Sequence, residues 1–265
     1  MAEPAEDLDD GKDASSKPQK RNAFAELMAP KPKVAKSDSK APPSTKASAK
    51  YDRRDELLSY IQNPESFPRG QVVLRVTPDT VLIRDLYPKA TIHLLLLPRS
   101  PAHHDLHPHG AFEDPKFLSM MKEEAASAAR LAAAELSRQL SQYSATSSKT
   151  MEGDEDSEGR DYSKEIRVGI HAHPSMRHLH VHIISRDMHS ASLKHKKHYN
   201  SFNTPFFIPL ADYPLSEDDE RRETGYQNAN LKGDMVCWRC GQNFGNRFAD
   251  LKKHLDVEFE QWKKE

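Results

Sequence analysis

The stretch His178-Leu179-His180-Val181-His182-Ile183-Ile184 sets three imidazoles in strict alternation with aliphatic side chains. A period of two is that of a half-buried β-strand, because side chains i, i+2 and i+4 stand on one face of the pleat. The spacing therefore predicts a strand over 178–185 that turns Leu179, Val181 and Ile183 toward a core and three histidines toward a common face. Isolated histidines are commonly hydrogen-bonded core or surface residues, whereas three in this register make a site. Near neutral pH an imidazole is a nucleophile and proton carrier, and three on one face also suit a metal.

With 265 residues, 36% of them hydrophobic, the chain has room for one or two domains and a substantial core. No run reaches the roughly 18 to 20 apolar residues that cross a bilayer, and the N-terminus lacks the apolar centre of a secretory signal. A soluble, intracellular chain with no membrane partner is expected. Cys237 and Cys240 stand too close together for a disulfide framework and suit a metal in a reducing compartment. The formal net charge is -1, yet residues 17–50 hold nine Lys or Arg against Glu26 and Asp38, among many Pro, Ser and Ala. Such a composition buries too little apolar surface to fold alone, so residues 1–50 read as a disordered tail, acidic at first and basic after. Within it Lys17-Pro-Gln-Lys20-Arg21 suits a nuclear import signal, which makes the nucleus the expected location. The brief amphipathic stretch of residues 22–28 is a place where a partner, a repair protein for instance, could dock.

Order is expected from Tyr51. Residues 52–61 are helix formers with apolar Leu57, Leu58 and Ile61, stopped by Asn63-Pro64. Strands are predicted at 72–76 and 80–84, split at Pro78-Asp79, then at 92–97, a continuous apolar run ended by Pro98. From Phe117 to about Tyr143 no Gly or Pro interrupts helix-forming residues, which predicts one long helix. Residues 144–163 turn polar and acidic, as a flexible insertion would. Strands at 166–171 and 178–185 complete an α+β domain over 51–210, with an antiparallel meander sheet and helices to one side. A small module over 211–265 follows.

The motif His178-Leu-His180-Val-His182-Ile-Ile resembles the signature of the histidine triad nucleotide hydrolases and transferases. With His171-Ala-His-Pro174-Ser175-Met176 before it, Lys196-Lys197-His198-Tyr199-Asn200-Ser201-Phe202-Asn203-Thr204 after it and a terminal metal module, residues 51–260 are similar to the aprataxin family. The likeness is to its shorter fungal type, since a basic tail stands where the vertebrate form has a forkhead-associated domain. The resemblance implies removal of AMP from 5′-adenylated DNA ends left by abortive ligation. It makes His180 the nucleophile that becomes a histidine-AMP intermediate, and His178 and His182 the holders of phosphate oxygens. His171 would protonate the departing 5′-phosphate, and Ser175 and Met176 would form a phosphate-cradling turn. It also implies an adenosine pocket from Leu82, Ile83, Asp85 and Leu86, with Asp85 accepting from ribose hydroxyls and Lys89 reaching phosphate, and a wedge against the terminal base pair for which Arg53, Arg54 and Tyr60 are candidates. The chemistry agrees: splitting a phosphoanhydride needs a nucleophile for phosphorus and donors for developing oxygen charge, and positioned imidazoles supply both, so no metal is expected in the chemical step. Lys196, Lys197, His198, Asn200, Ser201 and Asn203 combine cations, amides and hydroxyl among aromatics, as phosphate contacts and base stacking require, or they form a solvated basic loop.

Cys237-Trp-Arg-Cys240 is followed by His254 and Glu258 on a predicted helix over 248–262, where i and i+4 share a face. Two thiolates, His254 and Glu258 can close a tetrahedral structural zinc site. The fourth ligand of such fingers is usually histidine, and the fungal pattern of the same family supports the carboxylate. Arg239, Arg247, Lys252 and Lys253 either grip DNA phosphates beside it or belong to a module that stabilises the C-terminus. The leading expectation is thus a monomeric DNA deadenylase acting at nicks, and at RNA-DNA junctions by the same chemistry. A small-molecule histidine triad hydrolase and a non-catalytic DNA-end binder are the alternatives.

Overall fold

A computed structural model of the chain describes residues 52–143 and 160–265. The tail expected over 1–50 lies outside the described residues, as does the insertion up to residue 159. Six strands form one sheet: β1 (Val73–Val76), β2 (Thr80–Arg84), β3 (His93–Pro98), β4 (Ile166–His171), β5 (Val181–Ser185) and β6 (Phe207–Pro209). Every pair is antiparallel, in the order β1-β2-β3-β5-β4-β6. The meander holds through β3. A helical crossover then carries the chain one place out to β4, and β5 returns into the gap, so the histidine strand lies between Leu94–Leu96 and Val168–Gly169.

Alternation along the strands sorts side chains to two faces. Leu82, Leu94, Leu96, Val181 and Ile183 point to one, which is covered by the long helix α3 (Pro115–Leu140). Asp114 caps that helix, its carboxylate accepting from the amides of Lys116 and Phe117, and Pro115 takes the first position, where no amide is needed. Leu118, Met121, Ala125, Ala128, Ala132, Leu136 and Leu140 recur at steps of three and four to form its buried stripe. The alanines let the helix lie close, and each fully buried leucine contributes about 1.5–3 kcal/mol. Val81, Ile83, Leu95 and Leu97 face the opposite way, toward α1 (Leu58–Gln62).

The continuous helix expected over 52–61 is instead a 3-10 turn, Arg53–Asp55, capped by the Asp52 carboxylate, followed by the five residues of α1. A short α2 (Pro108–Ala111) precedes α3. The segment after the histidines is the helix α4 (Lys196–Asn203), not a loop, and a further helix α5 (Thr224–Lys232) leads to the hairpin β7 (Met235–Val236) with β8 (Asn243–Gly245) and to α6 (Phe248–Trp262). No seam falls near residue 210. Ile184, Tyr199, Phe202 and Phe207 share one buried cluster with Met235, Phe244, Leu251 and Leu255, and Trp262 reaches the core under α3, donating from its indole N–H to Glu165 at 3.0 Å. The described residues 52–143 and 160–265 form one compact unit. Among the described residues no helix is long and apolar enough to cross a membrane.

Candidate active site and metal centre

The sheet face away from α3 carries a cavity of about 440 Å³, bounded by α1, the turn after β2, the 171–176 segment and α4. His180 and His182 line it, but the strand begins only at Val181. His178 and His180 precede the ladder, in a segment held from outside: the amide of Leu179 donates to the His104 carbonyl at 2.7 Å and that of Arg177 to the Arg54 carbonyl at 3.0 Å. His178 accordingly does not line the cavity. Its buried ring turns to the His104-Asp105 loop, with Nε2 3.0 Å from the Asp105 carboxylate. What it presents to the site is its carbonyl, which accepts from Nδ1 of His180 at 2.8 Å. A carbonyl can only accept, so Nδ1 of His180 carries the proton and Nε2 keeps its lone pair. Burial pushes the His180 pKa down, keeping the ring neutral.

A second chain of hydrogen bonds fixes His182. The amide of Lys89 donates to Nδ1 of His93 at 3.1 Å, and Nε2 of His93 lies 3.0 Å from Nδ1 of His182. An amide can only donate, so the proton of His93 sits on Nε2, Nδ1 of His182 accepts it, and Nε2–H of His182 is a donor. Burial holds His93 down at about 4 and His171 and His182 well below the ordinary imidazole value. Nε2 of both His171 and His182 is buried with no partner among the described residues, and the two rings stand 4.4 Å apart beside the cavity. Orphaned buried polar atoms are costly and mark a place that a ligand's polar atoms fill.

Ser175, Met176, Ile83, Asp85, Leu86 and Lys89 border the cavity, and Tyr60 does so while stacked on Phe67 at 4.1 Å. Leu82 does not: its neighbours Val81 and Ile83 face α1, so alternation buries it under α3, and Leu95 takes its place. One Asp85 oxygen accepts from the Tyr87 amide at 2.7 Å and the other lies 3.6 Å from His93. Desolvation lowers the Lys89 pKa, with Asp85 opposing it, and the ammonium donates to the Tyr87 carbonyl. Arg53 and Arg54 lie outside the lining, and Arg54 is paired with Asp52 at 2.9 Å.

Helical periodicity divides the basic segment. Lys197, His198 and Ser201 line the cavity, whereas Lys196, Tyr199, Asn200 and Asn203 fall on the other stripe. Asn200 is buried and donates to the carbonyls of Asn230, Leu231 and Gly233, the last at 2.8 Å. Asn203 donates to the Tyr199 carbonyl, and the Lys196 ammonium to the Lys232 carbonyl at 2.7 Å. These three brace α4 and lie outside the cavity lining. Residues to which the sequence reading gave no role and which the fold adds to the cavity include His93, Tyr87, His173 and Phe206.

In the C-terminal module one ligand atom each from Cys237, Cys240, His254 and Glu258 lies within 4.8 Å of the others. Cys240 Sγ is 3.2 Å, and one Glu258 oxygen 3.1 Å, from Nε2 of His254. These separations suit the edges of a tetrahedron of roughly 2.0–2.3 Å bonds. Gly241, at φ 75°, turns the chain after the cysteine pair, a left-handed conformation that side chains oppose. Arg239 holds the second Glu258 oxygen and also Glu265, and Lys252 is likewise engaged internally.

The fold and the paired histidine relays define a histidine triad protein with an appended zinc-finger module. A family model described as scavenger mRNA decapping enzyme C-term binding matches residues 58–198, and one for the C2HE / C2H2 / C2HC zinc-binding finger matches residues 203–261. The chain is 38% identical to an aprataxin-like protein of Saccharomyces cerevisiae over 78% of its own length and 95% of that protein's, and 34% identical to one of Schizosaccharomyces pombe over 87% and 93%. It resembles the structure of the aprataxin ortholog Hnt3 in complex with DNA at a TM-score of 0.62 and 32% identity, covering 79% of this chain and 96% of that one. This chain belongs to the aprataxin family.

Proposed function

We propose that the protein hydrolyses the phosphoanhydride of 5′-adenylated DNA ends, releasing AMP and leaving a 5′-phosphate. The observation that carries this reading is the hydrogen bond of His180 Nδ1 to the His178 carbonyl, which leaves the Nε2 lone pair toward a cavity where, among the described residues, Nε2 of His171 and of His182 has no partner. Nε2 of His180 attacks the AMP phosphorus, the bond to the bridging oxygen breaks, and the ring becomes a phosphorylated imidazolium. The Nδ1–H bond to the His178 carbonyl stabilises that positive charge. Nε2–H of His182 faces oxygen charge that grows in the transition state. The clustered rings are neutral at rest, and an entering diphosphate opposes the depression of their pKa values. Substrate entry thereby draws in a proton, which His171 passes to the departing 5′-phosphate. Water then attacks phosphorus and gives a proton to the now neutral His171, the phosphorus–Nε2 bond breaks, and His180 leaves as a neutral ring that keeps its Nδ1 proton.

These groups supply nucleophile, donors and acid from the chain itself, so we assign no metal to the chemical step. The cluster of Cys237, Cys240, His254 and Glu258 would hold zinc, which would fix the hairpin to α6. Lys197, His198 and Lys89 would meet DNA at the cavity mouth, and the DNA complex of the related Hnt3 supports that use. RNA-DNA junctions present the same anhydride. A monomer at work in the nucleus, its tail free to bind repair proteins, completes the reading and rests on the sequence. Incubation with nicked 5′-adenylated DNA is expected to release AMP, with the AMP label trapped covalently on wild type after rapid quenching and absent from His180→Ala. Wild-type inactivity on this substrate would overturn the reading.

A further inference from the structure

The finger helix is tied to the reacting imidazoles by a continuous run of hydrogen bonds, and Lys252 begins it. Its ammonium donates to the carbonyls of Ser190 at 3.1 Å and Leu193 at 2.8 Å, gathering the loop that follows β5. The Ser190 hydroxyl donates to the carbonyl of Pro88 at 2.5 Å. In the same loop the buried Asp187 carboxylate accepts from the amide and the hydroxyl of Thr91, each at 3.0 Å. Pro88 and Thr91 flank Lys89, whose amide sets the proton of His93 and through it the donor of His182. The turn so held also carries Asp85, Leu86 and Lys89 on the cavity wall. His189 in this loop stacks on Phe259 of α6 at 4.1 Å, so the two surfaces meet over more than one contact.

Resting on the deadenylase reading, we infer that Lys252 is a positioning residue for the nucleotide pocket: it acts through the 187–193 loop to hold the 85–91 turn, and is not a DNA phosphate contact. A lysine whose ammonium serves two main-chain carbonyls has two of its three N–H donors committed inward, and replacing it leaves those carbonyls to find water. The 85–91 turn then gains freedom, and adenylate binding must restore its order before His93 and His182 are in register. That cost falls on substrate binding. It is the same whether or not DNA is attached to the adenylate.

The test uses the full chain loaded with zinc and two substrates, adenylated nicked DNA and adenosine 5′-phosphoramidate, which has no DNA. Lys252→Met is expected to lower kcat/KM on the phosphoramidate by about tenfold, chiefly through KM, with zinc content and melting temperature near wild type. Lys252→Arg, which can reach the same carbonyls, is expected to restore most of it. Unchanged phosphoramidate turnover in Lys252→Met would overturn the inference, whether or not DNA turnover fell, because a phosphate contact acts only on DNA. A loss confined to kcat, or an Arg variant as impaired as the Met variant, would also overturn it. Should Lys252→Met lose zinc or fold poorly, Ser190→Ala breaks the joint with Pro88 away from the metal ligands, and it must show the same rise in KM. A wild type inactive on adenylated DNA but active on the phosphoramidate sinks the deadenylase reading, and the comparison of variants still decides this one.

Discussion

The Lys89 amide determines the state of a nitrogen two rings away. Because it donates to His93, the His93 proton is placed toward His182, and His182 must keep its own proton on the cavity side. Removing the relay with His93→Ala leaves Nδ1 of His182 buried and unpaired and frees the ring to take the other tautomer. A loss of about 100-fold in kcat for AMP release is expected, comparable to deleting one oxyanion donor, and single-turnover kinetics at saturating substrate measure it. A change in KM alone would contradict the assignment. His93 was legible in principle. It sits in Ile92-His93-Leu94-Leu95, where the same alternation that organised the triad puts His93 on the face of Leu95, which the ladder pairs with His182. What sequence did not carry is the bend that turns the His178 side chain to Asp105 and leaves its carbonyl as the acceptor for His180.

Between elements, close approach and shared cores matter more than propensity. A Cβ on Gly169 would stand 2.6 Å from the Ile208 carbonyl oxygen and from the Phe207 ring. Gly169→Ala must therefore push β6 away from β4, next to His171, and is expected to cost about 1–3 kcal/mol, read from the shift in urea midpoint. The finger predicts a different signature. Because Met235, Phe244, Leu251 and Leu255 share a cluster with Ile184 and Phe202, zinc removal by chelation should lower the melting temperature of the whole unit as one calorimetric transition. Two separate transitions would show an independent module. The long helix α3 and the finger helix α6 were legible because their periodicity is uninterrupted. The helix α4 was not, since its short run of cations, amides and aromatics carries little helical signal. Its two stripes appear only when α5 covers one of them.

Across the molecule the concentration of neutral imidazoles gives stability a pH dependence of known sign. Burial lowers the pKa of His93, His109, His171, His180 and His182, and that of His107, His173 and His178 also falls. In each case the unfolded chain binds a proton near pH 6.5 and the folded chain resists until lower pH. Stability is thus complete above about pH 6.5 and is lost as pH falls toward 4, by as much as about 3 kcal/mol for His93 alone. Urea unfolding at pH 7 and pH 5 should show the decline. A midpoint that holds steady or rises at pH 5 would mean that these rings are charged in the folded protein.

Local pattern alone determined the histidine alternation, the long helix, the close spacing of the cysteine pair and the shared helix face of His254 and Glu258, because each depends on residues near one another in the chain. Tertiary structure decided which nitrogen of each histidine carries its proton, the position of β5 between β3 and β4, the faces of Leu82, Asn200 and Asn203, and the path from Lys252 to the pocket. Each of these depends on partners far apart in the chain or on a neighbouring helix, and no local spacing encodes them.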